Sequence, residues 1–485
     1  VYNLFLHPLS KIPGPKARAA SNLPNIISLI SGVDFENVKE LHDKYGKVVR
    51  LAPDILSFNT AEAFQDIYGF HHQKGQIPKD LDFYLADVNS QRSLINADDV
   101  HHARVRRLIA HGFSNSALQG QEELLTTYFD LFVDRLKVLS RTTGTADMTD
   151  FFNFLAWDII GDLSLGKSFG LLEEPAAPTW MEKVMGSSNS LFLYWIGNWI
   201  PAFGIPFRLW LRIPGMTDAR TRLKNFTAEQ VNARLAEKPE RQDFISYILR
   251  YNVDQEILKG ELYMTTRTFL NAGSDTTAST LTWCLWEILH QPDIYARVQK
   301  EVRDHFQHAK QITLHSSARD QLPFLFAVLE ETLRKDPPTI GPGFARKTFE
   351  PTMVDGTMVP PGVRVGVPHY ATFRSEKNFR DPEEFIPERW LGDPLYKDDR
   401  TDAFRPFQLG PRVCLGKNLA YAEMMSALAR LFYYFDMSLT PDSSQWGKGR
   451  NAYFFWVKPP LNVNLKLSSR LQEDEKGLAK LLAKQ

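Results

Sequence analysis

Cysteine is almost absent: the 485 residues hold two, Cys284 and Cys414. That excludes a disulfide framework and removes any need for an oxidising compartment. Net charge is absent too. Lys plus Arg and Asp plus Glu each number 57, so the chain lacks the basic excess of a nucleic-acid protein, and a basic patch for some other partner would have to be local. No stretch supplies the roughly 18 to 20 uninterrupted apolar residues that a spanning helix needs. The absence of internal repeats and low-complexity blocks excludes solenoids and long solvated tracts.

What is present is the material for a large core, 43% hydrophobic and 12% aromatic residues. The opening "VYNLFLHPLSKIPGPK" is punctuated by Pro8, Pro13, Gly14 and Pro15, and proline fixes its own backbone while keeping its predecessor out of the helical region. Residues 1–16 read as a stiff connector, either following a membrane anchor or beginning a soluble protein. Residues 17–470 read as one catalytic domain and 471–485 as a polar tail. Strand signals are few: "KVVRLAPDILSFN" at 47–59, "TMVDGTMVPPGVRVGV" at 352–367 with Asp355 and Gly356 as turn residues, and "AYFFWV" with "LNVNLKL" near the end. The rest is helical in pattern, so the expected fold is mainly α with a small β lobe.

The longest helix signal covers 261–292 and stops at Pro292. Leu262, Thr266, Phe269, Gly273, Thr276, Thr280, Cys284 and Ile288 recur at helical spacing. Its centre, Ala272 to Thr277, is small and polar, and Gly273 costs about 1 kcal/mol against alanine in a helix interior. Such a centre is either a close crossing with another helix or a notch facing a ligand, kinked or bulged beside it; the notch is the expectation. The aromatic segment 193–216 reads as a buried loop over a substrate or as an apolar patch on a membrane surface.

Cys414 stands in "FQLGPRVCLGKNL" between Gly410 and Gly416. Glycines let a backbone wrap closely around a sulfur, and the N-terminus of a following helix favours a thiolate. A nucleophile would want a base, and no histidine is near in sequence. Zinc would want more cysteine or histidine at ligand spacing. What is left is one thiolate ligating a large, flat metallocofactor. Cys284 reads as core packing.

"FQLGPRVCLG" resembles the haem-binding loop of the cytochrome P450 family at Phe407, Gly410, Arg412, Cys414 and Gly416. "AGSDTT" (272–277) resembles the oxygen-binding stretch of that family's central helix, "ETLR" (331–334) its Glu-x-x-Arg motif, and "PERW" (387–390) that motif's partner. Four motifs in the family's order cover essentially the whole chain, most similar to fungal secondary-metabolite members. The resemblance implies haem b between the central helix and the helix after Cys414, with Cys414 as axial ligand of the iron. It implies Arg412, Arg346 and Arg106 as propionate partners, with His102 where relatives often carry tryptophan, and Ala272 and Gly273 lining the cofactor. Asp275 and Thr276 are the implied acid and alcohol that relay protons, and Glu331, Arg334 and Arg389 a structural triad. Phe373, where many relatives have histidine, is expected to alter packing alone.

The implied activity is O2-dependent hydroxylation or a related oxidation of a small, largely apolar molecule. Oxidative coupling, ring formation or isomerisation at the same haem is the alternative within the family, and a haem sensor or carrier the one outside it. The chain carries no nucleotide fingerprint, so the resemblance implies electrons from NADPH through a separate cytochrome P450 reductase. Lys417, Arg405 and the Arg104–Arg107 cluster are candidates for its footprint. The implied setting is the cytoplasmic face of the endoplasmic reticulum membrane.

Overall fold

Two β-branched runs begin the first sheet. In the computed structural model, which describes residues 1–70, 76–84, 92–174, 218–236, 243–251, 257–340 and 344–468, Val48–Ala52 (β1) and Ile55–Phe58 (β2) pair antiparallel. The other strands are Thr145–Asp147 (β3), Arg346–Lys347 (β4), Thr352–Val354 (β5), Thr357–Val359 (β6), Arg364–Gly366 (β7), Phe435–Leu439 (β8) and Asn462–Leu467 (β9). They form a four-stranded sheet β1-β2-β7-β4, a three-stranded sheet β3-β9-β8, and the hairpin β5-β6. That hairpin turns through Asp355 and Gly356, both at positive φ (46° and 73°), as a two-residue turn matched to strand twist requires.

The "AYFFWV" run is not a strand. It makes only isolated bridges, Thr339 with Phe455 and Ala452 with Trp456. The partners of β9 are instead β8, which follows a long helix without a break, and the distant β3. The opening residues are packed onto the body: Leu9 is fully buried, and the Arg50 guanidinium donates to the carbonyls of Asn3 and Leu9. Gly14 approaches Arg50 so closely that a Cβ there would lie 2.6 Å from its carbonyl oxygen.

Five helices position the site: α1 (Asp99–Ile109), α2 (Met148–Leu165), α3 (Lys259–His290), α4 (Pro323–Lys335) and α5 (Lys417–Tyr434). Asp98 caps α1 by accepting from the His101 N–H at 2.9 Å, and Asp147 caps α2 by accepting from the Thr149 N–H at 2.9 Å. The 32 residues of α3 span about 48 Å. It stops at Gln291 because Pro292 cannot continue it and instead opens the next helix. α2 is buried at every position but Asp150 and Asn153 and crosses α3 inside the larger hydrophobic core; a second core, with Phe58, Phe64 and Val365, lies under the first sheet. Cys284 is fully buried in the larger core, where dehydration pushes its thiol up to about 12. Phe373 packs in the second core against His369 and Phe404. Among the described residues no helix is long and apolar enough to cross a membrane. The aromatic segment 193–216 and the 471–485 tail lie outside the described residues.

Candidate active site

The cysteine loop is shaped by two residues at positive φ, Gln408 at 64° and Gly410 at 74°. The Cys414 N–H donates to the Phe407 carbonyl at 2.8 Å and closes the loop into a ring. Phe407 itself packs on Tyr421, one turn into α5, with ring centres 5.1 Å apart. The glycines divide differently from expectation. A Cβ at Gly410 would lie 1.9 Å from the Tyr68 carbonyl oxygen, so this glycine serves an approach of two backbones rather than wrapping the sulfur. At Gly416 a Cβ would meet no protein atom within 4 Å, and it is the Gly416 N–H that faces the sulfur.

Cys414 has an exposed side chain that protein nonetheless hems in. Dehydration raises its pKa, outweighing the Gly416 N–H, Arg106 and Lys417, which all act to lower it. The helix that follows therefore does not make the sulfur anionic unaided. A metal ion bound to the sulfur would, because coordination deprotonates a thiol outright.

Next to this loop, cations are concentrated. Arg412 gives Nε and Nη2 to Asp99 Oδ1 at 3.0 and 2.7 Å, and Nη2 also to the Ala97 carbonyl at 2.8 Å; its Nη1 is buried without a partner. Arg346, buried on β4, donates Nη1 to the Ile77 carbonyl at 3.2 Å and leaves Nε unpartnered. Arg106 braces the loop by donating to the Val413 carbonyl at 2.7 Å, close enough to Cys414 for the two charges to interact. His102 is buried, and burial together with Arg412, Lys79, Arg106 and Arg346 pushes its pKa down to about 3. It is a neutral imidazole in this setting.

Lys79, which no motif flagged, belongs to the same cluster. It bridges antiparallel opposite Arg346, so the two side chains leave on one face, where opposed like charges repel. Its ammonium lies 4.0 Å from the Tyr84 ring centre and donates to the Ile95 carbonyl. Burial, then Arg412 and Arg346, hold its pKa well below the usual lysine value. Nearby Asp80 is taken by Arg364. Arg346 and Arg412, with the Lys79 amine beside them, thus face the single carboxylate of Asp99, an excess of basic groups.

The small centre of α3 is a helix crossing. The helix is α-helical without interruption, and a Cβ at Gly273 would lie 2.8 Å from Ile160 Cδ1 on α2. No bulge interrupts the helix, and Gly273 is taken up by that contact. Ala272 and Thr276, one turn apart, share a different face, where Ala272 is exposed. Thr276 Oγ1 donates to the Ala272 carbonyl at 2.6 Å, the usual back-bond of a helical threonine. Asp275 turns to Lys458.

Glu331, Arg334 and Arg389 come together with no side-chain exposure above 1%. Glu331 Oε1 accepts from Arg334 Nη2 (2.8 Å), Arg389 Nε (3.1 Å) and the Ile386 N–H (2.9 Å), and Oε2 from Arg334 Nε (2.9 Å). The Trp390 indole N–H also donates to Oε2, at 2.9 Å, a contact the motif did not announce. Of the candidate docking cations, Lys417 is exposed near the Phe407 ring, whereas Arg104 is tied to Glu261 at 2.6 Å.

These residues fit a haem. A lone thiolate suits a metal that brings its other ligands with it, and among the described residues no group of three or more His, Cys, Asp or Glu could hold a bare ion. An excess of basic groups, with guanidinium N–H groups of Arg412 and Arg346 left unpartnered, suits the two carboxylates of a haem. Fold and site together define a haem-thiolate protein. Sequence comparison agrees: a model of the family described as Cytochrome P450 matches residues 14–466. The chain is 38% identical to the cytochrome P450 monooxygenase astJ of Aspergillus oryzae over 96% of this chain and 93% of that one. It is 39% identical to the cytochrome P450 monooxygenase aclL of the same organism (96% and 95%), and 36% identical to an averantin hydroxylase of Dothistroma septosporum (96% and 88%). The chain belongs to the cytochrome P450 family. It is a monooxygenase, an oxidoreductase that uses haem iron, O2 and electrons from a redox partner, and neither the alternative haem chemistries nor a sensor or carrier is needed to account for it.

Proposed function

We propose that this chain hydroxylates a small, largely apolar molecule of fungal secondary metabolism, with electrons from NADPH through a separate reductase. The observation that carries the reading is the convergence of the Cys414 loop with the basic side chains of Arg412, Arg346 and Lys79. The relative named as a hydroxylase supports the reaction type. Cys414 would ligate the iron of haem b, Arg412 and Arg346 would hold its carboxylates with His102 as a neutral donor, and Arg106 would brace the loop and set a positive charge beside the sulfur. Ala272 and Gly416 give a flat group clearance. When bound, a thiolate-ligated haem supplies the oxygen-activating chemistry, because the sulfur pushes electron density toward iron and favours O–O cleavage. Asp275 and Thr276 would hold and pass protons, the hydroxyl at Thr276 Oγ1 being within reach of the exposed Ala272 face. Glu331, Arg334 and Arg389 would fix the segment behind the loop.

The test is turnover under isotopically labelled O2 with NADPH and added reductase, using compounds first selected because they displace water from the iron. One labelled oxygen atom should enter each product. Product without label, or turnover without reductase, would contradict the reading. The reduced carbon monoxide complex should show the red-shifted band of a thiolate ligand, and Cys414→Ser should lose it.

The same proposal extends to a membrane surface at the endoplasmic reticulum. Tyr2, Phe5 and Leu6 are exposed near an apolar helix, Leu23–Ser31, whose Leu23, Ile27 and Ile30 are also exposed. Asn3 Nδ2 ties the opening to the end of the short preceding helix, Lys16–Ala20, by donating to the Ala20 carbonyl at 2.9 Å. In flotation with vesicles of microsomal lipid composition, this chain should rise with the lipid and Phe5→Ser/Ile27→Ser should not; equal flotation would remove the proposal.

A further inference from the structure

Asp275 lies on the central helix with one carboxylate oxygen already committed. Oδ1 accepts from Lys458 Nζ at 2.5 Å, and the two side chains are only 13% and 6% exposed. The lysine comes from the stretch between Trp456 and β9, and that stretch is pinned from several directions. The Pro459 carbonyl accepts from Thr149 Oγ1 and from the Trp446 indole N–H, each at 2.9 Å. Trp456 donates its indole N–H to the Pro337 carbonyl at 3.0 Å, and the Ile340 N–H donates to the Phe454 carbonyl at 3.0 Å. Lys458 is therefore delivered to Asp275 by anchored backbone. Among the described residues, Oδ2 of Asp275 has no protein hydrogen-bond partner.

An exposed ion pair contributes little, but a pair this dry pays dehydration on both charges and depends on its geometry. Here the geometry has a directional result. A carboxylate free at both oxygens rotates about its terminal bond; one clamped at Oδ1 presents a single oxygen in a single direction. We propose that Lys458 is a positioning residue for proton delivery: its ammonium holds Asp275 Oδ1 so that Oδ2 is the oxygen that takes up a proton from water and hands it on beside Thr276. This rests on the reading of Asp275 and Thr276 as the proton-handling pair. It adds a residue from the C-terminal segment that touches neither the cysteine loop nor the cationic cluster.

The experiment compares Lys458→Met, which keeps the length and removes the charge, with Lys458→Arg, which keeps the charge. Thr276→Ala and Asp275→Asn serve as references, all as haem-loaded protein with reductase. Lys458→Met should keep haem content and substrate affinity while product formed per NADPH falls by up to about a hundredfold, the loss expected of a misplaced catalytic group. The missing electrons should appear as hydrogen peroxide, the solvent isotope effect should rise, and Lys458→Arg should recover most of the coupling. Independently of turnover, hydrogen exchange at the 454–458 amides should quicken in Lys458→Met and Asp275→Asn alike. If Thr276→Ala and Asp275→Asn uncouple the enzyme and Lys458→Met does not, Lys458 has no positioning role. If Lys458→Met loses substrate affinity in proportion to turnover, it is a wall of the pocket and the proposal fails. If neither reference variant uncouples, it is the proton-pair reading that fails, and the positioning role fails with it.

Discussion

Glu331→Ala is expected to give protein without haem and with a sharply lowered melting temperature. The carboxylate has no exposed surface and accepts from two guanidiniums, one indole and one backbone N–H. Deleting it strands Arg334 and Arg389 beside each other in the interior. Each keeps other partners: Arg334 donates to the carbonyls of Phe373, Pro382 and Glu384, and Arg389 pairs with Asp399. Hydrogen bonds to carbonyls do not replace the lost countercharge. Breaking a buried pair by removing one partner costs about 3–5 kcal/mol, a large share of the roughly 5–15 kcal/mol that holds a domain together. Haem content per protein, read from absorbance, and the melting temperature check this. Normal occupancy in Glu331→Ala would mean that the two arginines find compensation elsewhere. Glu331→Gln retains an acceptor and should fall between the extremes.

Gly410→Ala should be nearly as damaging for a different reason. Its φ of 74° alone costs a residue with a side chain about 1–3 kcal/mol, and the added methyl would lie 1.9 Å from a backbone oxygen that cannot swing aside. Tyr68 is the last residue of a buried helix, Ala61–Tyr68. The loop must therefore move, and it carries Arg412 and Cys414. The fraction of protein showing the thiolate-type carbon monoxide band should fall by at least about fivefold, the equivalent of the low end of that strain alone. Gly416→Ala is the contrast. With φ at −81° and no protein atom in reach, it should leave folding stability within about 0.5 kcal/mol, the usual range for an unconstrained position, and weaken haem retention only. Equal haem retention in the two variants would overturn this division of roles.

What was legible in the sequence was local. The cysteine loop, the Glu-x-x-Arg turn and the Asp355-Gly356 hairpin each put their information within a few residues, and each forms as a local unit in the structure. The length of α3 was readable because Pro292 marks its end. What escaped depended on contacts between distant segments. Gly273 is explained by Ile160, far back on α2, and a glycine in a helix does not announce whether a ligand or a helix needs the space. Lys79 sits in "IPKDLDFY", a run without a pattern; only its bridge to Arg346 gives it meaning. Lys458 is one basic residue among 57 until the fold sets it against Asp275. β8 was missed because it follows α5 with neither glycine nor proline between them, so its apolar residues continue the helical run.

The contact between Gly273 and Ile160 has a consequence for how such an enzyme can diversify. Where one helix seats a single side chain, Ile160, directly on a glycine of the other, neither turns about its axis without driving a larger residue into that side chain, so the rotational phase of α3 is fixed from the side facing α2. Ala272 and Thr276, on another face, inherit their heading from it. Loops at the rim can then change length, charge and aromatic content from one descendant to the next, and select new molecules, without disturbing the direction in which that face points.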